Sequence, residues 1–213
     1  SDLTSFLTTG GMRGHSRKML AKFYPRSHNM GMTRQLVNKV GGFGNLRHGQ
    51  DIELSHRILQ SGAKVRFIPE AIVYHRRRSS LKSFFRQTFN WGVARINLYK
   101  IDKALLEPVH FLPSFGLITV ITVIIGSILS VTLFQFLFII GLILFFIQCV
   151  FGSVKHKDIR VLSHLIFVIP TQIIGYGTGF FTGFTKRVLF NSGTLSISYN
   201  FSSILIFLKP LFL

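Results

Sequence analysis

The chain has 213 residues, with 25 Lys and Arg against 7 Asp and Glu and a formal charge of +18. So basic a balance suits anionic partners: nucleic acid, acidic headgroups or phosphorylated substrates. A mean hydropathy of +0.43 and 23 Phe argue against a soluble nucleic-acid binder, and the single Cys149 leaves no disulfide framework and no thiolate metal site.

Residues 1–20 are polar and basic around Gly10-Gly11-Met12-Arg13-Gly14-His15. They read as a loop, either a solvated linker or a flap that neutralises phosphate. The sequence opens at Ser1 without a signal-peptide pattern. Phe23-Tyr24-Pro25-Arg26-Ser27 leads into a short expected strand near Asn29 and Gly31. Thr33 is placed to N-cap a helix through Val40, which the Gly41-Gly42 turn ends.

The central stretch is Gly41-Gly42-Phe43-Gly44, then Gln50-Asp51-Ile52-Glu53-Leu54. Asp51, Leu54, Ser55 and Ile58 recur at helical spacing, so they share one face. Leu54 and Ile58 call for a core, which aims Asp51 at a cleft rim from the first turn. There the helix dipole favours an ionised carboxylate, although ordinary helix capping gives the same pattern. Gly62 is the expected stop. Residues 64–68 and 71–75 are strand-like, separated by Pro69-Glu70, and a basic loop, Arg76-Arg77-Arg78, follows. Helix, strand and loop in this order predict half of an α/β unit. Residues 1–75 hold too few strands to close a doubly wound sheet, so an N-terminal half is expected to be missing.

Residues 81–100 predict an amphipathic helix. Leu81, Phe84, Phe85, Thr88, Phe89, Gly92, Ile96 and Tyr99 form its apolar stripe, with Lys82, Arg86, Asn90, Asn97 and Lys100 opposite. Such a helix beside a spanning segment is expected to lie in the membrane interface, its cations meeting anionic headgroups. Arg95 falls on the apolar face. It either snorkels or aims a guanidinium at a phosphate.

No acidic or basic residue other than histidine occurs between Glu107 and Lys155. That run is about twice the ~20 residues one span needs. Spans are predicted at 111–131, 134–151 and 161–184. The positive-inside rule puts residues 76–103 and 155–160 in the cytoplasm and Lys186 and Arg187 on the far side. Gly175, Gly179 and Gly183 are spaced for tight helix packing. The expected division is therefore 1–79 catalytic, 80–110 interface helix and linker, 111–187 membrane, and 188–213 an unassigned tail. His48, His56 and His110 show no metal-ligand spacing.

Taken together, Gly41-Gly42-Phe43, Gln50-Asp51-Ile52-Glu53-Leu54, Arg57, Ile68-Pro69-Glu70-Ala71, Tyr74-His75-Arg76-Arg77 and Ala94-Arg95-Ile96-Asn97-Leu98-Tyr99 resemble the acceptor half of a family 2 (GT-A, inverting) glycosyltransferase. They are similar to bacterial membrane-bound members of the succinoglycan type, which build surface polysaccharide. The resemblance covers roughly residues 10–187. It implies an α/β GT-A-type catalytic domain, here incomplete, followed by the interfacial helix and about three transmembrane helices. It also implies multi-pass residence in a bacterial inner membrane with the catalytic part cytoplasmic.

By that resemblance Asp51 is the general base, and the donor is a nucleotide-sugar. The acceptor is a glycan on a lipid carrier, and nucleic acid is not a partner. Gln50, Gly42, Phe43 and Asn29 are acceptor-site candidates. Arg76, Arg77, Arg86 and Arg95 are candidates for phosphate or lipid, and His75 for the diphosphate or a metal. A divalent metal, Mg or Mn, is expected, with its ligands upstream. Two departures stand out. Gln50 replaces the family's usual Glu, and no Asp-x-Asp exists, since aspartate occurs only at positions 2, 51, 102 and 158. Gln-x-x-Arg-Trp, the motif of processive synthases, is also absent in that form, which favours single addition. These departures keep open an alternative: a catalytically incomplete, membrane-anchored scaffold or partner subunit that binds acidic lipids.

Overall fold

The computed structural model describes residues 24, 27, 30–66, 68, 70, 71, 73, 74 and 79–191. Six α-helices are described: α1 Arg34–Val40, α2 Gln50–Gln60, α3 Leu81–Ile101, α4 Leu112–Ile128, α5 Thr132–His156 and α6 Arg160–Phe184. A π-turn, Thr185–Leu189, prolongs α6. Among the described residues there is no strand. Positions 64–66, 68, 71, 73 and 74 of the two strand-like segments have no β pairing, because none of the described residues supplies a neighbouring ladder. Ala71 N–H closes a turn on Ile68 C=O at 3.2 Å.

Local signals set the small helices. The Thr33 hydroxyl accepts from Leu36 N–H at 3.3 Å, and Gly41 ends α1 at φ 77°. Gly49, in the left-handed region at φ 86°, starts α2. Gly62, at φ 80°, follows its last turn. As the spacing predicts, Leu54, Ser55 and Ile58 are buried on α2 with Asp51 half-buried at its start.

The long helix α3 is buried on two sides. On one side it runs parallel to α6, backbone against backbone. Gly175 meets Phe85 and Thr88, Gly179 meets the Phe89 backbone, and Gly183 meets Val93 and Ile96. Farther along, Lys100 Nζ donates to Asn191 Oδ1 at 3.3 Å. The glycine spacing of α6 is therefore a packing face, and its partner is α3. On the other side Ala94 and Leu98 receive Gly49, and Leu98 joins Leu46, Ile52 and Leu105 in a cluster.

Three expectations change as a result. The Phe-rich face of α3, assigned to lipid by its pattern, is taken up by α6. Asn97, assigned to the outer face, is buried. The C-terminal end of α6 also lies beside the C-terminal end of α3, rather than apart from the cations of residues 76–103.

Three helices are long and apolar enough to cross a membrane: Pro108–Ile128, Thr132–His156 and Arg160–Leu189. α5 exposes nearly all its large apolar side chains, as a helix facing lipid must. α4 and α5 turn over at Ser130, φ 58°, where Gly126 lies against the Phe134 ring. The second span starts two residues earlier and ends five residues later than its apolar run predicts, because Gly152 and Ser153 remain helical and pack inward.

Candidate active site

Asp51 sits in the first turn of α2, beside the point where that helix is seated on α3. Its Oδ1 accepts from Ile52 N–H at 3.0 Å. The preceding Gly49 has no side chain to cap the helix, and Asp51 and Glu53 are the acids of its first turn. Positive φ is required at Gly49. A Cβ there would also come 3.3 Å from Leu98 and 3.5 Å from Ala94, so the close seat itself depends on glycine.

A part-buried ion pair ties the Gly41-Gly42-Phe43 turn to the helix that carries Asp51. Arg57 Nε donates to Glu53 Oε1 at 2.5 Å and Nη2 to Oε2 at 2.8 Å. The same guanidinium donates to the Val40 carbonyl and, at 2.6 Å, to the Gly42 carbonyl. Its hydrogen bonds to Glu53 hold the Arg57 proton more firmly than usual. Glu53 lies under Gly44, where an added Cβ would stand 3.1 Å from its Oε2. Gln50 Nε2 donates to Gly44 C=O at 3.2 Å, so that amide nitrogen secures the loop. Phe43 is 53% exposed at the tip of the turn.

Removing Glu53 leaves Arg57 without its carboxylate and frees the turn. Hydrogen bonds to charged groups contribute about 1.5–3 kcal/mol, and Arg57 is partly solvated. Glu53→Ala should therefore cost about 2 kcal/mol. A thermal melt in detergent that matched the wild type would rule out this clamp.

A second tie joins α2 to the end of α3. The His56 imidazole meets Asp102 Oδ2 at 2.8 Å, and Gln60 Nε2 donates to the same oxygen at 3.4 Å. Asp102 also caps the next turn through Ala104 N–H at 2.8 Å. That N–H, then His56, hold the Asp102 carboxyl below the usual carboxylate range. Burial, then Arg47, push the His48 imidazole down, which favours its neutral form in the loop before Asp51. Burial raises the Tyr24 phenol, and Glu107 adds to the shift.

Of the predicted site residues, Asp51, Gln50, Gly42 and Phe43 are gathered at the start of α2 and its preceding turn. Arg95 follows Ala94 on the part of α3 that seats α2, while Arg86 is exposed nearer the start of α3. Asn29, His75, Arg76 and Arg77 lie outside the described residues. Two arrangements are not apparent from residue spacing alone. The Glu53–Arg57 pair is an ordinary i, i+4 pattern, and its hold on the glycine turn depends on tertiary geometry. The seat of Gly49 on Ala94 and Leu98 joins residues far apart in the chain. Among the described residues no three His, Cys, Asp or Glu side chains group to hold a metal ion. The described residues therefore do not fit a resident divalent metal, and none of their chemistry is routed through one.

Residues 5–153, well over half of the chain, match the family profile described as Glycosyl transferase family group 2. The chain belongs to this family. Relatives of this chain include the "Probable glycosyltransferase YdaM" of Bacillus subtilis, 32% identical over 79 residues, which are 37% of this chain and 18% of that protein. The "Pre-mycofactocin glycosyltransferase" of Mycobacterium tuberculosis is 37% identical over 60 residues, 27% of this chain and 13% of that protein. The chain thus spans less than a fifth of the length of these curated relatives. No solved structure matches it. Family membership points to sugar transfer, and the three apolar helices point to membrane association.

Proposed function

We propose that this family 2 chain carries the acceptor side of an inverting glycosyltransferase of hexosyltransferase type, acting in cell-surface polysaccharide synthesis at the bacterial inner membrane. The donor is a nucleoside-diphosphate sugar, and the acceptor is a lipid-linked or polysaccharide hydroxyl. One observation carries the reading: within the family match, Asp51 stands half-buried in the first turn of a helix whose start is seated on the cationic helix α3. A general base must lie within hydrogen-bond reach of the proton it takes, and a helix N-terminus favours the carboxylate form.

In this mechanism the acceptor oxygen attacks the anomeric carbon from the face opposite the leaving group. Its proton passes to Asp51. The bond from the anomeric carbon to the diphosphate oxygen breaks, and the nucleoside diphosphate departs with that electron pair. The Glu53–Arg57 clamp keeps the Gly42-Phe43 turn fixed beside the base. An α/β GT-A arrangement around these helices, and a divalent metal, belong to the same proposal.

A second reading, a scaffold or partner subunit that binds acidic lipids, draws on the formal charge of +18. To separate the two, the protein would be purified from its own membranes and given radiolabelled nucleotide-sugars with a lipid extract. Label moving into lipid or glycan is the expected result. Binding to acidic vesicles with no transfer from any donor would leave the scaffold reading in its place.

A further inference from the structure

α6 is long and apolar enough to cross a membrane, but its packing holds both its ends on one side. Two crossings, by α4 and then α5, return the chain to the side from which α4 starts. α6 joins the two open ends of that hairpin. Its first residue, Arg160, lies just past His156, the last of α5, and Ser153 Oγ donates to the Asp158 carbonyl between them at 2.8 Å. Near its other end the Phe180 ring meets Phe111, where α4 begins, with centroids 5.1 Å apart. Packing against α3 agrees with this. Gly175, Gly179 and Gly183 hold α6 parallel to α3 from Phe85 to Ile96, and Asn191 reaches Lys100. α3 carries Lys82, Arg86, Arg95 and Lys100. Charged side chains are costly in hydrocarbon, so α3 is not a span, and the part of α6 laid along it shares its course. The end of α3 is also where Asp102 meets His56 of α2 at 2.8 Å, which places Asn191 on the side that holds α2.

The faces of α6 suit such a place. Phe167, Ile174 and Phe181 recur at helical spacing on one face, and they are exposed together with Ile159, Ile166 and Phe184. The opposite face, with Gln172, Tyr176, Gly179 and Gly183, is buried. Exposed cations stand at both ends: Lys155, Lys157 and Arg160 at its start, Lys186 and Lys100 at its close. Crossing would put Lys186 on the far side of the membrane from the start of α6. Lying flat keeps all of these cations on one side, in line with the positive-inside bias, where anionic headgroups attract them.

We propose that α6 is not a third span: it lies along the membrane surface on the side that holds α2, its Phe167–Ile174–Phe181 face sunk in that leaflet among acidic phospholipids. α3 rests on its other face. Gly49 seats on Ala94 and Leu98, on the side of α3 away from α6, so α3 separates the start of α2 from the lipid. This placement goes beyond the proposed function and stands without it.

The test reads position, not transfer, so it can fail while the transferase reading stands. Cys149 is buried. On a Cys149→Ala background, the single reporters Ser130→Cys, His156→Cys and Lys186→Cys would meet a membrane-impermeant maleimide in sealed vesicles of either orientation. Lys186→Cys is expected to label from the same side as His156→Cys, with Ser130→Cys labelling from the other. Labelling of Lys186→Cys from the Ser130 side overturns the proposal. Spin labels at Phe167→Cys, Ile174→Cys and Phe181→Cys, in vesicles containing phosphatidylglycerol, decide the matter if a reporter takes no maleimide. The three are expected at one depth in the lipid. A crossing helix, rising about 1.5 Å per residue, would step by up to about 10 Å from each label to the next, and a steady step of that kind overturns the proposal. So do labels shielded from dissolved oxygen, because protein rather than lipid would then cover the face.

Discussion

Asp51→Asn should lower sugar transfer by about 10²–10⁴-fold, the range a positioned general base contributes, and leave the protein folded. Asparagine keeps the shape of the side chain and its oxygen toward Ile52 N–H, but it takes up no proton. The structural cost is confined to the helix start, where a carboxylate stabilises the dipole by about 0.3–1 kcal/mol. Glu53 remains in the same turn. A melting temperature within a few degrees of the wild type would therefore accompany the collapse in rate. The loss should fall on kcat, since the base acts on the attacking hydroxyl rather than on donor affinity. Wild-type turnover in this variant would remove Asp51 from the mechanism. A loss restored by raising acceptor concentration would make it a binding group instead.

The extent to which the sequence reveals this protein follows the range of each signal. Thr33, Gly41 and Gly62 act on their own or the next turn, so these helix starts and stops are legible to within a residue or two. The Asp51 face is legible because a helix repeats its apolar positions on a fixed period. Asn97 is not, because periodicity assigns each helix one buried side and α3 has two, one against α6 and one against Leu46, Leu105 and the start of α2. The glycine spacing of α6 announces a close partner but carries no label for it. An interior helix with polar flanks and a helix lying in an interface share one pattern, and long-range packing decides between them. For the same reason Lys100 beside Asn191 escapes a count of loop charges. The site divides in the same way: Asp51 and its glycine turn are local, whereas the hold of Arg57 on the Val40 and Gly42 carbonyls forms only once α1 and α2 are packed.

Gly179→Ala should be among the most destabilising single-methyl additions available in this chain. A Cβ at Gly179 falls on the backbone carbonyl of Phe89, and one at Gly92 falls on the Tyr176 carbonyl and 2.5 Å from Phe180 N. Neither obstacle is the flexible end of a side chain, so the methyl can be housed only by separating α3 from α6. Overpacking a well-filled interior costs about 1–3 kcal/mol, occasionally more. A clash between two helix backbones belongs at or above the upper end. Gly141→Ala is the matched control, because a Cβ there meets nothing within 4 Å and alanine is the better helix former by about 0.5–1 kcal/mol. Thermal melts in one detergent should show a large fall for Gly179→Ala and no fall for Gly141→Ala. The same separation would shift Ala94 and Leu98, on which Gly49 rests, so transfer should fall with stability in the first variant. If Gly179→Ala melted like the wild type, the α3–α6 contact would not be the support on which the Asp51 helix is seated.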